Sequence, residues 1–147
     1  MAGKSNKDQC FCTLSGSQEL EKIRNFVFEC SVKFGFDNNI SNKIALAVDE
    51  ACSNLIKYAY NNNSNNEIKV KINKNETTNY LIVKIEDDSQ PFNPLSIESP
   101  DMVDYFKHFR KGGLGIHIMK LVMDEIEYIP KTNFYKYNTL ILKKRLN

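Results

Sequence analysis

Ile68, Val70 and Ile72, then Leu81, Val83 and Ile85, place apolar side chains at every second position of two neighbouring runs. A period of two builds strands with one buried face. The KNETTN segment between the runs predicts an antiparallel hairpin with a longish loop. Upstream the period changes. Leu20, Ile23, Phe26, Val27, Cys30 and Val32 recur at helical spacing, which predicts an amphipathic helix over 18–34, with Ser17 as N-cap and an end near Gly35. Asp37 or Ser41 caps a second helix, which runs to about Tyr60 before an asparagine-rich loop at Asn61, Asn62, Asn63, Asn65 and Asn66.

Residues 8–14 alternate loosely and form a short first strand. Leu114 to Met123 reads as a third helix, and Glu125–Ile129, Phe134–Tyr137 and Thr139–Lys143 as further strands. Helices grouped apart from mostly hairpin-linked strands give an α+β class. The expected architecture is a two-layer sandwich: a mixed, mostly antiparallel sheet with helices on one face. Between Ser89 and Lys111 the periodicity fails, and Pro91, Pro94 and Pro100 fall there. A structureless stretch of about 20 residues inside a compact domain is usually functional or mobile.

A chain of 147 residues fits one domain spanning 1–147, with 1–7 as a flexible tail. Twenty basic and 18 acidic residues leave a net charge of +2, which gives no electrostatic footprint for nucleic acid or an anionic membrane. No apolar run approaches the roughly 18 residues of a membrane span. The opening MAGKSNKDQ lacks a signal-peptide core, so the expected location is the cytoplasm. Cys10, Cys12, Cys30 and Cys52 contain no C-x-x-C, and the histidines are His108 and His117. This pattern reads as reduced thiols rather than zinc ligands or bridges. The two histidines read as surface or packing residues, and Met102, Met119 and Met123 as core filler.

Three places carry candidate chemistry. On the second helix, at about 100° per residue, Glu50, Asp49, Ser53, Lys57, Asn54 and Asn61 share an arc of roughly 140°. Ile44, Ala45, Val48, Ala51, Cys52, Leu55, Ile56, Tyr58 and Ala59 lie opposite. One reading is a solvated helix face. The other sets Glu50 and Asn54, at i and i+4, side by side as a base next to a magnesium ligand. On the strand 80–88, Asp87 continues the core-facing row of Leu81, Val83 and Ile85, while Glu86 and Asp88 point the other way. A carboxylate at the edge of a core needs a partner. It either caps the turn that follows or accepts a hydrogen bond from a ligand donor such as a purine amine. Finally, Gly112-Gly113-Leu114-Gly115 opens a helix. Such a site lets backbone N–H groups approach an anion, with Lys107, Arg110 and Lys111 adding charge, or it is simply a flexible turn.

The order and content of these places resemble the ATPase superfamily shared by gyrase, heat-shock chaperones, histidine kinases and MutL, whose ATP-binding fold is of the Bergerat type. AVDEACSNLIKYAY is similar to its N-box, KIEDDSQPFNPL to its first glycine box and GGLGIHIMKLVMDEIEY to its second. Within that superfamily the chain most resembles the small bacterial anti-sigma factor serine/threonine kinases, over about residues 14–145, including the turn from Pro91 to Pro94. The resemblance implies ATP and Mg²⁺ as cofactors, Glu50 as base, Asn54 as metal ligand and Asp87 as acceptor of the adenine amine. It also implies that Gly112, Gly113, Leu114 and Gly115, with Arg110 and Lys111, hold phosphate, that 89–111 is an ATP lid, and that Thr139 is a nucleotide-site threonine. The glycine usual two residues after the aspartate is Ser89 here, which restricts that backbone to φ < 0. Implied partners are a sigma factor and a phosphorylated anti-sigma-factor antagonist, and such kinases are commonly dimers. The rival functions are a nucleotide-dependent binding module without phosphotransfer, and a histidine-kinase catalytic domain acting in trans.

Overall fold

Asp37 starts the longest helix. Its extended backbone turns the chain, and its carboxylate accepts the N–H of Ile40 at 2.8 Å, satisfying a donor that the first helical turn leaves open. The computed structural model describes residues 9–14, 19–56, 67–89 and 114–147. These form β1 (Gln9–Leu14), α1 (Leu20–Lys33), α2 (Asn38–Asn54), β2 (Glu67–Asn75), β3 (Tyr80–Asp87), α3 (Leu114–Val122), β4 (Glu125–Ile129) and β5 (Asn138–Arg145). Ser17, the tail 1–7, the helix span expected over 57–60 and residues 90–113 of the expected lid and glycine motif lie outside the described residues.

Gly35 ends α1. Its φ of +117° lets its N–H reach the Val32 carbonyl at 3.0 Å and the Phe36 N–H reach Ser31 at 3.1 Å, which closes the helix by paired backbone bonds. A Cβ there would also meet the Leu146 side chain at 3.0 Å. α2 passes into a wider π-type turn at Leu55 and Ile56.

Among the described residues the sheet has five strands in the order β1-β2-β3-β5-β4, and each of their ladders is antiparallel, where the sequence allowed a mixture. Ile68, Val70 and Ile72 of β2, Leu81, Val83 and Ile85 of β3, and Leu140 and Leu142 of β5 form one buried row set. Against it pack Ile23, Val27 and Cys30 of α1, Ile44, Val48 and Cys52 of α2, and Met119 of α3. The two-layer α+β sandwich with helices on one face is therefore present. The β2–β3 hairpin turns through Asn79, at φ 61°, with Asn75 Oδ1 accepting the Thr77 and Thr78 N–H groups at 3.0 and 3.2 Å.

Phe134–Tyr137 is not a strand. β4 pairs directly with β5, Ile129 opposite Thr139, and the intervening segment is an irregular loop. Pro130 brings no N–H to a ladder. Thr132 Oγ1 accepts the N–H groups of Phe134 and Tyr135 at 3.1 and 3.2 Å, which ties these backbone donors into a local turn instead of a ladder.

Candidate functional site

Asp87 closes β3 on the sheet's inner face, 3% exposed, with Asn138 of β5 opposite it in the ladder. Its Oδ1 accepts three hydrogen bonds: from the Ser89 N–H at 3.0 Å, from the Ser89 hydroxyl, and from Asn138 Nδ2 at 3.1 Å. Asn138 is itself held. Its Nδ2 also donates to the Ser89 carbonyl at 2.9 Å, and its Oδ1 accepts the Lys131 N–H at 2.9 Å. Among the described residues, all of these donors converge on Oδ1 and none falls on Oδ2. Among the described residues, turn capping therefore uses one oxygen of the carboxylate.

α2 lies over this strand end. Cys52 is fully buried, and its thiol is pushed far above the usual range by that burial, with Asp49 and Asp87 adding negative potential. Two residues on, Asn54 is 3% exposed and its Nδ2 has no hydrogen-bond partner among the described residues. A buried amide left unsatisfied costs about 1–3 kcal/mol. Glu50, one turn earlier, is half-buried, as are Asp49 and Ser53. The end of α2 is therefore not a solvated face. Asp49 Oδ1 is likewise buried with no hydrogen-bond partner among the described residues, and its Oδ2 stands 4.0 Å from Arg24 Nε. Burial raises the Asp49 pKa against the lowering effect of Arg24.

Leu114 and Gly115 begin α3, which packs against α2. Arg110, Lys111, Gly112 and Gly113 lie outside the described residues. Thr139 does not join the site. Register pairs it with Glu86, on the face away from Asp87, and the residue on the Asp87 face is Asn138. Counting back by twos from the inward Leu142 and Leu140 reaches Asn138, so alternation carried a signal that the motif match overrode.

Glu86, 2% exposed, is occupied on the outer face. Tyr135 donates its hydroxyl to Oε2, and Lys71 Nζ lies 2.7 Å from Oε1, an ion pair outside the geometry of a directed hydrogen bond. Burial pushes this carboxyl up, but the Lys71 and Tyr135 contacts, with Lys69 beyond them, outweigh it and hold it below the usual range. A separate cavity of about 360 Å³, lined by Ile40, Leu46, Ile118 and Leu121 among others, shares no residue with the Asp87 cluster.

The residues present fit a nucleotide with its metal. Asn54 offers a metal a hard amide oxygen, and its amide nitrogen, a donor without an acceptor among the described residues, suits a phosphate oxygen. Among the described residues no three His, Cys, Asp or Glu side chains gather as a metal cage. Magnesium needs only one or two protein oxygens when phosphates and waters supply the rest.

The chain matches the family model described as histidine kinase-like ATPase domain over residues 16–144. Its fold is similar to that of a chain in the crystal structure of the SiaB-SiaC complex from Pseudomonas aeruginosa. The TM-score is 0.65 at 14% identity, covering 92% of this chain and 88% of that one. None of the curated proteins compared matches it in sequence. No described helix is long and apolar enough to cross a membrane.

Proposed function

Since the chain belongs to the histidine kinase-like ATPase domain family, we propose that it binds ATP with Mg²⁺ between α2 and the inner end of β3. We further propose that it transfers the γ-phosphoryl group to a serine or threonine hydroxyl of a partner protein. The observation that carries this reading is the buried Asp87, saturated on Oδ1 and unserved on Oδ2 among the described residues. An ionised carboxylate oxygen only accepts, so it suits the exocyclic amine of adenine.

Asn54 then holds the metal, whose charge offsets that of the phosphates. The backbone N–H groups of Gly112, Gly113, Leu114 and Gly115, with Arg110 and Lys111, hold the anionic tail. Glu50 accepts the proton of the attacking hydroxyl. Phosphoryl transfer depends mainly on positioning and charge stabilisation, so the rigid placement of Glu50 on a helix matters more than its basicity. In this reading the partner is an anti-sigma-factor antagonist, the regulated protein is a sigma factor, and the working unit is a dimer. The SiaB-SiaC complex, a two-protein assembly built on a similar fold, supports a protein partner.

The test is incubation with γ-labelled ATP, Mg²⁺ and a candidate antagonist protein. Acid-stable label on the partner, lost in Glu50→Ala while ATP is still bound, is the expected result. Normal transfer by Glu50→Ala would remove the base. Acid-labile label would point to histidine, and bound nucleotide without label to a regulatory binding module.

A further inference from the structure

Ser89 stands where a glycine would leave the Asp87 turn bare. Asn79 is the described non-glycine residue with positive φ, so Ser89 keeps a negative φ and its side chain is accommodated without backbone strain. The residue is 7% exposed. Its hydroxyl has one described use on the Asp87 side, as a donor to Oδ1 beside its own N–H. Asn138 completes a closed ring, donating to both Asp87 Oδ1 and the Ser89 carbonyl at 3.1 and 2.9 Å. The orientation of that amide follows from its partners. Oδ1 faces the Lys131 N–H at 2.9 Å, so Nδ2 must face the two acceptors.

Three donors on one sp² oxygen exhaust its lone pairs and fix the plane of the carboxylate. We propose that Ser89 and Asn138 are positioning residues that lock Asp87 so that Oδ2 meets only position 6 of a purine, which makes the site read 6-amino against 6-oxo bases. The inference rests on the nucleotide reading above and deepens it. A 6-oxo purine places an acceptor against an acceptor, but it also carries an N1–H donor next to that position. A carboxylate free to swing could reach the N1–H and tolerate the 6-oxo base. A locked one cannot. The selectivity then comes from the ring of donors around Asp87 as much as from Asp87 itself. Glycine at position 89 would keep the N–H bond and lose the hydroxyl.

The experiment is calorimetric titration of the full chain with ADP and with IDP, each with Mg²⁺. Wild type is expected to prefer ADP by at least about 10-fold, the lower end of what one hydrogen bond to a charged group is worth. Ser89→Ala, Ser89→Gly and Asn138→Ala should each narrow the ADP/IDP ratio several-fold, chiefly by improving relative IDP binding, whereas Ser89→Thr restores the wild-type ratio. A purely structural role would weaken both nucleotides together and leave the ratio unchanged. Selective wild-type binding with unchanged ratios in folded Ser89 variants overturns the lock but leaves the nucleotide site standing. Absence of ADP binding by wild type overturns both. The Ser89 variants lie in a turn outside the strands, so the test survives if Asn138→Ala does not fold.

Discussion

Glu86 and Asp87 are adjacent carboxylates on β3, both almost fully buried, and strand alternation sends them to opposite faces of the sheet. On the outer face, both oxygens of Glu86 are met by Lys71 and Tyr135. Nearby, Lys69 donates to the Tyr137 hydroxyl at 2.9 Å and sits 4.5 Å from its ring centroid. On the inner face, the bonds that Asp87 receives from described residues all fall on one oxygen, Oδ1. Burial of a carboxylate is therefore not the mark of a site. The distribution of its partners is what separates the two: Glu86 is met on both oxygens by fold contacts, whereas the described contacts of Asp87 gather on Oδ1 and leave Oδ2 to the ligand proposed above.

The contrast breaks most directly on nucleotide affinity. Asp87→Asn should weaken ADP binding by about 10- to 100-fold, the scale of one charged hydrogen bond, while Glu86→Gln leaves it within about twofold. Calorimetry that found equal losses would erase the distinction. Stability should divide the other way. Glu86→Ala is expected to cost about 1–3 kcal/mol in urea unfolding, toward the lower end because Lys71 keeps access to water.

Acid titration sharpens the same division. Glu86 is held below its usual range, so its stabilisation is complete above the unfolded glutamate value of about 4.3 and is lost as pH falls through the folded value. The stability gap between wild type and Glu86→Gln should thus be full at neutral pH and close below about pH 4. Asp49, raised by burial against the pull of Arg24, has the opposite sign. Its contribution is greatest below the unfolded aspartate value of about 3.9 and falls as pH rises through the folded value, so Asp49→Asn should gain on wild type toward neutral pH. Urea midpoints measured from pH 3 to 7, roughly the range these carboxyls titrate in, check both signs. The smallest stability effect belongs to Asn54→Ala. Its amide nitrogen has no acceptor among the described residues, so removing it relieves a cost that offsets the lost packing, and the melting temperature should hold or rise slightly while the Mg²⁺-dependent gain in ATP affinity disappears.

Much of this was legible in the chain. The inward rows of β2 and β3, the turn at Gly35, the Asp37 cap and the inward Asp87 follow from period and local chemistry. What escaped depends on contacts between distant segments. Aromatic residues at Phe134–Tyr137 favour a strand, but Thr132 captures the backbone donors, and Tyr135 then turns to Glu86 from the far side of the β4–β5 loop. A helical wheel puts Asn54 beside Glu50 but carries no information on what covers the end of α2. Thr139 came from the family resemblance, whereas register gives the inner position to Asn138, whose bonds to Asp87, Ser89 and Lys131 join segments distant in sequence.

In the proposed complex, Asp87 reads an adenine base whose phosphates are directed to the Glu50–Asn54 end of α2. A crystal structure with a non-hydrolysable ATP analogue and Mg²⁺ tests it most directly. The account predicts the adenine amine within hydrogen-bond distance of Asp87 Oδ2 and the metal on Asn54 Oδ1. Nucleotide bound elsewhere, with Asp87 Oδ2 facing only water, would contradict it.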